Sequence, residues 1–327
     1  MQNLQHIMGA DLSKRTIDLF LKSHLKIENN KSGFNEMMKW LKQQNINSSE
    51  VMIVMEHTGL YGFCFERFLH DHHVAFTKVP ALQIKNSVGM VRGKSDKVDA
   101  KRLAEYGLDK KAKLVIEQQT TKELQRLQML HATRERLVRH KAAILNAIKE
   151  YQNVGLSASD PIMQTHTRLI KGFEREIEKL QTQMDAIIDN NPSLKQNQSL
   201  LQSIKGVGRV LSVATIIKTR NFTRFPTARK FACFCGTAPF PYDSGTSIKK
   251  KRRVSHLADK TMKTLLDLSA KTAIQYDKEL REYYLRRTEK GKSKMSTINI
   301  VRNKILYRMF AVVKRQTPFV ENYLQAA

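Results

Sequence analysis

The chain has 327 residues, enough for two or three domains, and carries 57 Lys+Arg against 30 Asp+Glu, a formal net charge of +27. A charge that large repels itself unless a polyanion offsets it, which favours a phosphate-rich partner over a small neutral one. The first residues, Met1 to His6, lack a charged segment followed by an apolar one, and no apolar run is long enough to span a bilayer, so the expectation is a cytoplasmic protein with no membrane partner.

In chain order, the first part alternates strand and helix patterns. His6 to Ala10 reads as a strand leading into Asp11, and Thr16 to Leu21 as its hairpin partner. Phe34 to Gln43 is helical, with Phe34, Met37, Met38 and Leu41 on one side. Val51 to Met55 is a short continuous apolar run, the mark of a strand covered on both faces. A helix from about Tyr61 to His70, a strand Val74 to Val79 stopped by Pro80, and a helix Asp96 to Tyr106 follow. The expected fold class is thus α/β for residues 1–115.

Residues 116–192 change character. Leu130, Leu137 and Ile144 recur at seven-residue spacing; after a break at Ser157 to Pro161, Leu169, Phe173, Ile177, Leu180, Met184 and Ile187 repeat every three or four residues. Two long helices with apolar seams suit either an antiparallel hairpin or an intermolecular coiled coil. Asn190-Asn191-Pro192-Ser193 is a candidate linker. Residues 193–327 are mostly helical and basic, interrupted by a hairpin-like stretch, Phe240 to Val254, with turn residues Asp243-Ser244-Gly245. From Ser244 to Ala327 there are 20 Lys/Arg and 7 Asp/Glu, a net +13, with one basic run at Lys249, Lys250, Lys251, Arg252 and Arg253 and a second cluster from Arg286 to Lys294.

Four acids form the candidate centre. Asp11 closes the strand end Gly9-Ala10-Asp11, Glu56 closes the run 51–55, and Asp96 and Asp99, at i and i+3, share one helix face. Carboxylates gathered at adjacent strand ends raise each other's pKa, and a hard divalent cation, Mg²⁺ or Mn²⁺, relieves the repulsion. Taken singly, each acid also reads as a cap or loop residue, and Asp99 as a salt-bridge partner of Lys101 or Arg102. His57, His70, His72 and His73 lack zinc-ligand spacing, and His57 reads as a neighbour supporting Glu56. Cys64, Cys233 and Cys235 are odd in number and read as small buried hydrophobes.

Asp243-Ser244-Gly245-Thr246-Ser247 precedes the basic run. As a plain reading it is a polar turn; beside Lys249 to Arg253, which would hold a phosphate, Ser244 becomes a candidate nucleophile, with Ser247 the rival hydroxyl. Ile204-Lys205-Gly206-Val207-Gly208 joins two helical patterns, so Gly206 and Gly208 either make a simple turn or offer backbone N–H groups to a nucleic-acid phosphate.

Together these motifs resemble the IS110 family of bacterial insertion-sequence transposases over essentially the whole length. The resemblance rests on Asp11 in Gly-Ala-Asp, Glu56 in Glu-His-Thr-Gly-Leu-Tyr, Asp96 and Asp99 in Ser-Asp-Lys-Val-Asp-Ala-Lys-Arg-Leu-Ala, and Ile-Lys-Gly-Val-Gly at 204–208. It continues in Phe-Ala-Cys-Phe-Cys-Gly-Thr-Ala-Pro at 231–239 and Ser-Gly-Thr-Ser at 244–247. It implies an RNase-H-like (RuvC-like) first domain over 1–115, a coiled-coil middle over 116–192 and a transposase domain over 193–327. It further implies that Asp11, Glu56, Asp96 and Asp99 hold Mg²⁺ and that Ser244 attacks the scissile phosphate. The partners implied are donor and target DNA, a bridge RNA from the element itself, and further copies of the chain as a dimer of dimers, in a bacterial, nucleoid-associated setting. His57 and Lys205 stand where the family usually has Ala and Pro. Other readings are a Piv-like DNA invertase, a junction resolvase, and a non-catalytic nucleic-acid-binding scaffold.

Overall fold

The structure, a computed structural model, describes residues 4–57, 59–87, 95–244, 248–255 and 257–321. The chain divides into two compact units, Met1–Gln119 and Thr120–Ala327. No helix among the described residues is long and apolar enough to cross a membrane.

The first unit is built on a five-stranded mixed sheet of β1 (His6–Leu12), β2 (Thr16–Phe20), β3 (His24–Glu28), β4 (Val51–Glu56) and β5 (Ala75–Val79). The order is β3-β2-β1-β4-β5. The first three strands form an antiparallel meander, while β4 and β5 run parallel to β1. Ser13 closes the first turn, its hydroxyl accepting from Thr16 N at 3.1 Å. The strand β3 was not expected from the sequence. Its pattern His-Leu-Lys-Ile-Glu alternates, but at the sheet edge only Ile27 is buried, so its period-two signal is weak.

Strand alternation divides the side chains between two faces. On one, Met8, Ala10, Ile17, Leu19, Ile53 and Met55 pack with Phe34, Met37, Leu41, Phe65 and Leu69 from α1 (Lys31–Gln43) and α2 (Phe63–Asp71). Each fully buried side chain of this kind contributes roughly 1.5–3 kcal/mol. On the other, Ile7, Met52, Val54 and Val79 lie under Ile84 of α3 (Ala81–Ser87) and Leu103 of α4 (Asp96–Asp109). Burial on both sides explains the unbroken apolar run of β4.

In the second unit, α5 (Lys122–Asn153) and α6 (Pro161–Asp189) fold back on each other. Lys141 meets Glu174 at 2.7 Å, the rings of His140 and Phe173 are 6.3 Å apart, and those of Tyr151 and His166 are 5.4 Å apart. Partners advance on one helix as they recede on the other, so this is an antiparallel hairpin. Asp160 caps α6, accepting from Ile162 N at 2.8 Å, with Pro161 in the first turn where its missing N–H costs nothing.

The base of the hairpin (Leu124, Leu127, Leu130, Met184, Ile188) shares one core with the helices that follow. These are α7 (Pro192–Gln202), α8 (Arg209–Thr219), α9 (Ala228–Phe234), α10 (Lys260–Tyr276), α11 (Lys278–Glu289) and α12 (Lys294–Arg315). Asn190 to Ser193 is not a linker: Asn191 caps α7 by accepting from Leu194 N at 3.1 Å, and the helices abut. Between α9 and α10 a two-stranded arm, β6 (Pro239–Ser244) and β7 (Ile248–Val254), projects as an antiparallel hairpin. Of the three thiols, Cys235 is buried as expected, Cys233 partly so, and Cys64 is exposed, contrary to the expectation, because it sits on the outward side of α2.

Candidate active site

Of the four expected acids, two are brought to one face of the sheet by strand alternation and two stand on the first turn of the helix above it. In β1, Ile7, Gly9 and Asp11 alternate away from Met8 and Ala10; in β4, Met52, Val54 and Glu56 do the same. The register pairs Ala10 with Met55, which brings Asp11 and Glu56 side by side at the carboxyl ends of adjacent parallel strands. Above them lies α4. A Cβ added at Gly9 would stand 1.9 Å from the Ala100 carbonyl oxygen and 2.5 Å from Ala104 N, so the glycine is what lets the helix backbone touch the strand. Ser95 caps α4 and accepts from Val98 N at 3.4 Å. Its first turn, carrying Asp96 and Asp99, is thereby set beside the end of β1.

The electrostatics follow from this placement. Burial pushes the Asp11 carboxyl up to about 6, joined by repulsion from Asp96, Asp99, Glu56 and Asp18. Asp11, Glu56 and Asp99 are half-buried and Asp96 is exposed. Asp99 is turned toward Arg102, which donates to it at 2.8 Å. Among the described residues, no group of three or more His, Cys, Asp or Glu side chains closes into a metal-holding arrangement. The donor set nevertheless suits a hard divalent cation: all oxygens, three of the four carboxylates half-buried and Asp11 held in the field of the others.

Asp18 was missed by sequence reasoning. It stands opposite Asp11 in the β1–β2 register, is 3% exposed, and accepts from His24 Nε2 at 2.7 Å, with Lys26 Nζ at 3.5 Å. A lone Asp between Ile17 and Leu19, in a strand paired directly after Asp11, was the available signal.

Ser244 closes β6 and pairs in register with Ile248 of β7. For Ser244 and for Lys249, Lys250, Lys251, Arg252 and Arg253 the backbone is described and the side chains are not, while Gly245, Thr246 and Ser247 lie outside the described residues. Gly206 and Gly208 join α7 to α8. Gly206 has φ +90°, and a Cβ there would meet the Ser269 carbonyl of α10 at 2.6 Å, so its small size serves packing; Gly208 is exposed with open space around it. Lys205, next to them, pairs with Glu321 at 2.7 Å.

Two family models match the chain. Residues 12–151 match a DEDD transposase model of the IS110 type, and residues 198–285 match the model described as the transposase IS116/IS110/IS902 family. The chain belongs to the IS110 family of transposases. It is accordingly an enzyme that cuts and joins DNA, which sets aside the scaffold reading. Divalent metal is typical of DEDD transposases. Among relatives of the IS110-family chain, the pilin gene-inverting proteins of Moraxella bovis and Moraxella lacunata are each 26% identical over 322 residues, covering 95% of this chain and 97% of theirs. The insertion element IS110 43.6 kDa protein of Streptomyces coelicolor is 25% identical over 185 residues, 56% of this chain and 44% of that protein.

Proposed function

We propose that the first unit is an RNase-H-like nuclease module and that the chain recombines DNA through Asp11, Glu56, Asp96, Asp99 and Ser244. The observation that carries this reading is the convergence of Asp11 and Glu56 on the sheet face where α4 begins with Asp96 and Asp99. The strand order 3-2-1-4-5, an antiparallel meander extended by two parallel strands, supports the RNase-H-like assignment. The four carboxylates would hold Mg²⁺ (or Mn²⁺), which when bound supplies positive charge to the phosphate undergoing transfer.

In this reading the Ser244 hydroxyl loses its proton and forms an O–P bond with the scissile phosphate, and the displaced deoxyribose oxygen leaves with the electron pair and takes up a proton. A hydroxyl of another strand then reverses the step, restoring the serine, so the phosphodiester energy is conserved across strand exchange. Lys249 to Arg253 on the returning strand of the arm would neutralise the DNA backbone beside Ser244, with Gly206 and Gly208 a second backbone contact. Site choice would lie with a bridge RNA, and the active assembly would be a dimer of dimers in which the helical hairpin serves as a coiled-coil contact.

A second reading is favoured by the two full-length relatives named for pilin gene inversion: inversion of a flanking DNA segment by the same chemistry. A plasmid carrying the gene with its native flanking DNA separates the two. New junctions elsewhere indicate transposition, and reversal of a flanking segment indicates inversion. In either case Asp11→Ala and Ser244→Ala should each lower recombination by more than about 10²-fold, beyond what loss of a supporting residue costs a metal site, and EDTA should stop the reaction in vitro. A serine-linked DNA adduct should appear on denaturing gels. Normal recombination by Ser244→Ala contradicts the nucleophile and makes water the attacker.

A further inference from the structure

The β6–β7 arm leaves and re-enters the helical core at two feet, each tied down by side chains from other helices. At the outgoing foot Thr237 is fully buried. Its carbonyl accepts from two amides one turn apart on α12, Asn299 Nδ2 at 2.8 Å and Asn303 Nδ2 at 2.7 Å, which together use both lone pairs. Thr237 Oγ1 lies 3.1 Å from Asn303 Oδ1, and Thr237 N donates to the Ala232 carbonyl at 3.0 Å. Two residues on, Arg229 donates to the Pro239 carbonyl at 3.3 Å, and its guanidinium sits 5.5 Å from the Phe240 ring centroid. At the returning foot Asp259 N donates to the Phe234 carbonyl at 2.9 Å. The Asp259 carboxylate caps α10, accepting from Met262 N at 2.9 Å, and pairs with Lys218 of α8 at 2.8 Å.

Asparagine is a poor choice inside a helix, since its amide competes with the helical backbone bonds. Two of them at i and i+4 on α12 both donate to one carbonyl outside the helix, Asn303 also donating to the Asn299 carbonyl at 3.0 Å, and so hold the Thr237 carbonyl in place. What they hold is the root of a lever. From Pro239 to Ser244 the strand extends about 17 Å at ~3.3 Å per residue, so a tilt of ~5° at the root moves the tip by about 1.5 Å. Misplacement of about 1 Å can cost on the order of 10²-fold in a reaction that depends on alignment.

We propose that Asn299 and Asn303 are positioning residues that fix the root of the β6–β7 arm and so the place at which Ser244 meets its phosphate. This rests on Ser244 being the nucleophile. The test uses the full-length protein as Asn299→Leu, Asn303→Leu and the double variant. It has three readouts: hydrogen exchange of the amides of 237–244 compared with α10, recombination from the plasmid with native flanking DNA, and affinity for a duplex of arbitrary sequence. Each single variant keeps one donor and should lose little. The double variant should lose recombination by about 10²-fold, with faster exchange over 237–244, unchanged exchange in α10 and unchanged duplex affinity. Asn303→Gln in the Asn299→Leu background, which keeps an amide donor, should recover part of the loss.

The proposal is overturned if the double variant recombines at the wild-type rate, or loses recombination without faster exchange over 237–244. It is equally overturned if α10 exchange rises in step, since the amides then serve general stability. Ser244→Ala is assayed in parallel. If it recombines normally, the nucleophile reading falls, and the exchange comparison still decides whether the two amides hold the arm.

Discussion

The second unit pairs its buried acids with cations, whereas Asp11 in the first sits among other acids. In the second, carboxylates meet cations: Asp185 accepts from Arg209 Nε at 2.8 Å, Asp259 pairs with Lys218, and Asp277, 2% exposed, binds Arg308 at 2.6 Å while capping α11. Asp267 shows the balance of forces. Burial pushes its carboxyl up, but hydrogen bonds from Lys271 and Arg302 outweigh this and hold it below the ordinary value. In the first unit, the neighbours that perturb Asp11 are all carboxylates, in a chain whose net charge is +27. A structural acid is found with its cation. Asp11 is placed among other acids although cations are abundant, which suits the divalent ion proposed for it.

The largest contrast is in stability. Asp277→Ala removes a buried ion pair and a helix cap together, leaving the Arg308 side chain, 12% exposed, with the exposed Glu279 in place of its buried partner. We expect a loss of about 3–5 kcal/mol in urea unfolding. Asp11→Asn should act in the other direction, making the metal-free chain more stable at pH 7 because it removes one member of a repelling set. A destabilising Asp11→Asn would erase the distinction between the two kinds of acid.

A smaller effect is expected in the pH dependence. Between about 4 and 6 the folded chain holds a proton on Asp11 that the unfolded chain does not, so stability in the absence of metal should fall as pH rises through that window and level off above it. Asp18→Asn, which keeps an acceptor for His24, should make this slope shallower by removing one of the repelling charges. Thermal melts at pH 5 and pH 7 check both; equal slopes in wild type and Asp18→Asn would remove Asp18 from the set.

Much of the first unit was legible because its signals are local. A continuous apolar run identifies β4, and acids at the ends of two runs mark a shared edge. What was not legible depended on neighbours far away in the chain. β3 sits at an edge with one buried residue, and Asp18 acquires its meaning from the strand register rather than from any motif. The heptad-like spacing of Leu130, Leu137 and Ile144 suits an intramolecular or an intermolecular partner equally well, and the antiparallel pairing appears only through contacts such as Lys141 with Glu174. Asn299 and Asn303 read as ordinary polar helix positions until the Thr237 carbonyl is placed against them.

The most direct test of the account is Mn²⁺ binding to the full-length protein by titration calorimetry at pH 7. Wild type should bind. Asp11→Asn and Asp96→Asn should each weaken binding by more than about 10-fold, while Asp267→Asn, whose carboxylate is already neutralised by its own cations, should bind as wild type does. If Asp11→Asn binds Mn²⁺ as tightly as wild type, the four acids do not share a metal.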